Sequence, residues 1–68
     1  MTKEQILNEW KPGDDSEAVR IIKERHGINL GRQAIAAWRK RKANRTPLEP
    51  IYIAAYEEAI YNRKKKNP

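Results

Sequence analysis

The sequence predicts a small all-α protein: a single domain of four helices. Two observations support this prediction. Apolar side chains recur at helical spacing in four segments, and prolines or glycines stand between those segments. The chain has 68 residues and no cysteine, so we expect one thin core that is not stabilised by a disulfide or a cysteine-based zinc site. We expect the domain to span residues 1–62 and residues 63–68 to form a basic, flexible tail.

The first helix is predicted from the signal at its start. Thr2 and Gln5 match a capping box, in which the Thr2 hydroxyl accepts from the Gln5 amide while the Gln5 side chain reaches back to the backbone of Thr2. The apolar stripe that follows consists of Ile6, Leu7 and Trp10. Residues 11–13, Lys-Pro-Gly, end this helix.

The second helix is predicted to begin within residues 14–17, Asp-Asp-Ser-Glu. Asp14, Asp15 and Ser16 are good N-caps, and the negative charges of this segment suit the positive end of a helix dipole. Its buried face is expected to consist of Ala18, Val19, Ile21 and Ile22. Gly27 is a natural left-handed residue at the C-terminal end.

The third helix is predicted to begin at Gly31 or Arg32 and to extend to about residue 42. Ile35 and Trp38 lie three residues apart and must point inward together. The residues on the opposite side are Gln33, Ala36, Ala37 and Lys40, with Arg32 and Arg39 at its flanks.

The fourth helix is expected to begin at the capped segment 46–49 or, because a proline disfavours helical geometry in the residue before it, only at Pro50. One face would hold Tyr52, Ala55, Tyr56 and Ala59. Residues 51–53 also suit a short strand, which remains an alternative. A second apolar face, with Ile53, Ile60 and Tyr61, predicts that a partner subunit covers this helix.

Charge is distributed unevenly along the chain. Residues 1–31 hold five basic and six acidic side chains, whereas residues 32–68 hold ten basic and three acidic ones. Such asymmetry favours an anionic polymer as partner, although a basic surface that serves solubility alone is an alternative. We find no paired carboxylates, nucleophile–base set or phosphate loop, and only one histidine, so we expect neither an enzyme nor a cofactor or metal site.

The second and third predicted helices, joined by a short turn and with Ile35 and Trp38 buried, form a helix-turn-helix pattern. This pattern places the outer face of the third helix in a DNA major groove. Its alanines allow close approach to base edges, Gln33 can pair with adenine, and basic side chains can reach guanine or phosphate. The expected base contacts are Arg32, Gln33, Ala36, Ala37 and Lys40. The expected phosphate contacts are Ser16, Arg39, Arg41, Lys42 and Arg45.

Residues 16–47, and above all the run from Gly27 to Trp38 followed by basic residues and Pro47, resemble the small phage Cro-type repressors, in particular the all-helical type. The resemblance implies a DNA-binding transcriptional repressor with its base contacts at the five positions just given. The sequence departs from that family in a longer turn before Ile35 and in Lys23, which stands where the family has an alanine.

These features together predict a repressor that binds double-stranded DNA at a palindromic operator. We expect a homodimer, weak without DNA, since one short helix reads few base pairs. No apolar run is long enough to span a membrane and the polar start is not a signal peptide, so we expect a cytoplasmic protein on the bacterial nucleoid. Two alternatives remain: an architectural, excisionase-like protein that bends DNA, and a small inhibitor whose basic face binds an acidic protein.

Overall fold

The computed structural model describes residues 1–41 and 46–66. It is all-α, with four helices and no strand in those residues. The helices are α1 (Lys3–Glu9), α2 (Asp14–His26), α3 (Arg32–Lys40) and α4 (Glu49–Lys66). The predicted fold class and the order of its elements are therefore confirmed, and the strand alternative at residues 51–53 is wrong, because these residues lie in α4.

The ends of the helices show which sequence signals act as predicted. Both halves of the capping box form between Thr2 and Gln5, and Gly27 ends α2 with a φ of 67°. The start of α2 differs, because its N-cap is Gly13 (φ 99°), without a side-chain cap. α3 is shorter than predicted: it ends at Lys40 and Arg41 is extended, while residue 42, the predicted end, lies outside the described residues.

All four helices contribute to one core. Its largest fully buried side chains are Ile6, Ile22, Ile35, Tyr56 and Ile60. Trp38 lies against two tyrosines of α4, with ring centroids 5.2 Å from Tyr52 and 5.9 Å from Tyr56. Of the apolar stripe predicted for α1, Ile6 is fully buried, whereas Leu7 is 45% exposed.

The second apolar face predicted for α4 is covered within the protein itself. Ile60 is 1% exposed and Ile53 is half-buried, so Tyr61 alone of the three residues is largely exposed. The reason is that α4 packs against both α1 and α2, which cover more than one of its sides. The sequence predicted that a partner subunit covers these three side chains, but Ile60 is buried without one.

The prediction that a basic, flexible tail begins at residue 63 is also wrong for residues 63–66, because α4 continues to Lys66. Arg63 holds this end of the helix in place. Its Nε lies 3.1 Å from Oδ1 of Asp14, and its Nη2 donates to the Glu9 carbonyl at 2.7 Å. In the part of the chain that the structure describes, no helix is long and apolar enough to cross a membrane.

Candidate nucleic-acid interface

The candidate interface is built on α3, which is held by few but deeply buried side chains. Of its nine residues, Ile35 is fully buried and Trp38 is 3% exposed. Residues 27–31 connect it to α2, in the order that the helix-turn-helix prediction requires. Because the anchors lie on one side, the opposite side of α3 is available to solvent.

The outer side of α3 carries the residues that the sequence assigned to base contact. Arg32, Gln33 and Lys40 are exposed, and Ala36 and Ala37 are half-exposed. Within the described residues, the side chains of Arg32, Gln33 and Lys40 make no ion pair or hydrogen bond with the rest of the protein. All five candidates thus lie on an accessible helix surface.

A shallow groove runs between the first turn of α2 and α3. Its lining includes Ser16, Arg32, Gln33, Ala36, Arg39 and Lys40. Six of the ten predicted site residues therefore meet at one surface, although they come from two helices. Ala37 lies beside this groove rather than in it, one turn after Gln33 on α3.

The carboxylates near the groove are engaged by the protein's own cations. Asp14 is 3% exposed and pairs with Arg63, and Glu17 pairs with Arg20. Asp15 pairs with Arg39, Nη2 to Oδ2, at 3.1 Å. Each acidic residue in the first turn of α2 thus has its own counter-charge, which reduces the repulsion that a DNA phosphate would meet at this helix end.

Arg39 is placed differently from the expectation. Its side chain is 12% exposed, donates through Nε and Nη2 to the two oxygens of Asp15, and lies over the ring of Trp10 at 3.9 Å from the centroid. A guanidinium held in this way would have to give up a bidentate ion pair to reach a phosphate. The prediction that Arg39 contacts phosphate therefore has no support in this geometry.

Asp15 is the centre of this cluster. Besides Arg39, its Oδ1 accepts from Trp10 Nε1 at 3.1 Å and from the Tyr56 hydroxyl. Burial alone would raise the pKa of the Asp15 carboxyl, but the hydrogen bonds from Tyr56, Arg39 and Trp10 outweigh it and hold the pKa below its ordinary value. Burial and the neighbouring carboxylate raise the pKa of the Tyr56 hydroxyl, which stays protonated as a donor.

The other predicted phosphate contacts are placed as follows. Ser16 is exposed at the groove, in the first turn of α2. Arg41 is exposed and has interactions within the protein. Lys42 and Arg45 lie outside the described residues.

Sequence reasoning missed two residues that hold α3 in place. Lys3 of α1 donates through Nζ to the carbonyls of Trp38 and Arg41, both at 2.6 Å, at the C-terminal end of α3, where a positive charge is favourable. Asp15 was interpreted only as part of a helix start. Neither role has a local signal, because Lys3 and Trp38 are 35 residues apart and Asp15 and Arg39 are 24 apart.

Comparison with known proteins gives no matching family model, no similar curated protein and no similar solved structure.

Proposed function

We propose that the protein binds double-stranded DNA sequence-specifically and acts as a transcriptional repressor, with α3 in the major groove. The observation that carries this proposal is the outer side of α3, where Gln33, Lys40 and Arg32 are exposed beside the small Ala36 and have no partner in residues 1–41 and 46–66. Polar side chains without internal partners, next to a small residue that permits close approach, are what base reading requires.

The dimensions fit this proposal. An α-helix with its side chains is about 10–12 Å across, which matches the roughly 12 Å width of a major groove, and the nine residues of α3 give it a length of roughly 13 Å. In this arrangement Gln33 pairs with an adenine, Arg32 and Lys40 reach guanine or phosphate, and the methyls of Ala36 and Ala37 contact thymine. Ser16 lies across the protein's own groove from α3, and its hydroxyl donates to a phosphate of the DNA backbone.

The resemblance of residues 16–47 to Cro-type repressors supports the same function and adds its biological setting. We propose a phage or prophage regulator that acts on the nucleoid in the bacterial cytoplasm. A single α3 reads few base pairs, so we also propose that two copies bind a palindromic operator, with half-sites about one helical turn apart. The dimer is weak without DNA, because few large apolar side chains are exposed to form an interface. Among the described residues these are Met1, Leu7 and Tyr61.

Selection from a pool of randomised DNA duplexes tests this proposal. The proposed function predicts that the protein enriches a palindromic sequence, and that it binds this sequence about a thousandfold or more tighter than mixed-sequence DNA at physiological salt. Arg25→Gln, on the side of α2 that pairs with Glu58 of α4, should enrich the same sequence and serves as the control. If no sequence is enriched, the proposal of a sequence-specific repressor is contradicted. Strong bending with little discrimination would instead indicate an architectural protein.

A further inference from the structure

The cluster around Asp15 brings four parts of the protein to one carboxylate. The donors are Trp10 at the C-cap of α1, Arg39 near the end of α3, and Tyr56 of α4, while Asp15 itself is in the first turn of α2. The Asp15 side chain is 17% exposed and that of Arg39 12%. This nearly buried, bidentate ion pair is therefore the direct polar link between the first turn of α2 and the last turn of α3.

The packing of α3 explains why such a link matters. Ile35 and Trp38 are its two buried residues, and a helix held by two neighbouring side chains can rock about them. The connection at residues 27–31 restrains only the other end of α3. At this end of α3, Lys3 holds two backbone carbonyls through a flexible ammonium, whereas the planar fork of Arg39 fixes direction as well as distance.

We propose that Asp15 and Arg39 are positioning residues for DNA recognition: their ion pair sets the angle between α2 and α3, so that Ser16 and the outer side of α3 engage one duplex together. This inference rests on the proposed function. Arg39 remains on Asp15 in the complex and makes no contact with DNA. Arg32, at the start of the same helix and without a partner within the described residues, meets the DNA.

The two arginines of α3 provide a matched test. Arg39→Met keeps a long apolar side chain beside Trp10 but removes the guanidinium that lies over its ring and pairs with Asp15. Asp15 keeps its hydrogen bonds from Trp10 and Tyr56, so the variant is expected to fold. Arg32→Met removes the same group from the outer side. Should Arg39→Met fail to fold, Arg39→Lys, which retains the charge but not the bidentate fork, takes its place.

The first readout is structural and needs no DNA. Residual dipolar couplings of backbone amides report the orientation of α3 relative to α2 and α4. We expect this orientation to change in Arg39→Met and to match the parent in Arg32→Met. An unchanged orientation in Arg39→Met, or in the lysine variant that replaces it, would overturn the positioning role whether or not the protein binds DNA.

The second readout is binding of the selected operator and of mixed-sequence duplex over a range of salt concentrations. We expect Arg39→Met to lose about tenfold of its preference for the operator, as when one bidentate base contact is misaligned. The slope of log affinity against log salt should equal that of the parent. A slope smaller by about 0.9 with an unchanged preference would show that Arg39 neutralises a phosphate, and would overturn the proposal. If the parent protein itself binds the operator no more tightly than mixed-sequence duplex, the proposed function is refuted instead.

Discussion

The two sides of α3 differ in how their polar groups are used. On the inner side, Arg39 is paired with Asp15, and the Trp38 indole lies against two tyrosines of α4 with its Nε1 3.4 Å from Oε2 of Glu49. On the outer side, Gln33 and Lys40 are exposed and, among the described residues, have no partner. The difference implies that stability and binding are separated on one nine-residue helix. Changes to the buried Ile35 and Trp38 should alter folding, whereas changes on the outer side should alter recognition directly. A change at Arg39 should alter recognition through the orientation of α3.

The largest effect is expected for Trp38→Ala on the inner side. It removes a side chain that is 3% exposed and packs on two tyrosine rings, so the free energy of unfolding should fall by about 3–5 kcal/mol. Since small domains are stable by only about 5–15 kcal/mol, this variant is at the edge of folding. Urea and thermal denaturation check the prediction. Cooperative melting near the parent midpoint would show that the inner side of α3 contributes little to stability.

A smaller loss is expected for Asp15→Asn, and it should depend on pH. The carboxylate accepts from Arg39, Trp10 and Tyr56, and its loss should cost about 2 kcal/mol near neutral pH. The pKa of Asp15 is below its ordinary value in the folded protein, so the parent's advantage is complete above that ordinary value of about 4. It is lost as the pH falls through the folded-state pKa.

Urea denaturation of the parent and of Asp15→Asn, at about pH 7 and about pH 3, measures this dependence. The difference in unfolding free energy between the two proteins should be smaller in acid. The same difference at both pH values would show that the charge of Asp15 is not what stabilises the cluster.

On the outer side, Gln33→Ala should leave stability nearly unchanged, because the side chain is exposed and has no partner among the described residues. Operator binding should weaken by about 1–3 kcal/mol, with preference relaxed at one base position. Titration against duplexes that each carry one substituted base pair checks this result. An equal loss on every duplex would assign Gln33 to the DNA backbone.

The smallest effect is expected for Lys40→Gln, which removes one exposed charge from the outer side. If Lys40 neutralises one phosphate, the salt slope of binding should fall by about 0.9. The control is Arg25→Gln, at the pair with Glu58 of α4, where the slope should remain that of the parent. Equal slopes in both variants would place Lys40 away from the phosphates.

The sequence predicted the local features of this fold and only part of its long-range packing. The capping box at Thr2, the C-cap at Gly27 and the inward pair Ile35 and Trp38 follow from signals within a few residues, and the structure confirms each of them. The ion pair of Arg39 was not foreseen, because helical periodicity places Arg39 at the flank of α3 and does not show that Asp15 lies opposite. The burial of Ile60 likewise depends on how α1 and α2 surround α4.

The central claim is that the outer side of α3 meets DNA, and an NMR titration tests it most directly. Backbone amide shifts of labelled protein are followed as the selected operator duplex is added. We predict that the largest changes occur at Ser16 and at residues 32–40, while exposed positions of α4 outside the groove, such as Glu57 and Tyr61, change little. Changes centred on α4, with residues 32–40 unaffected, would contradict the assignment of α3 as the recognition helix.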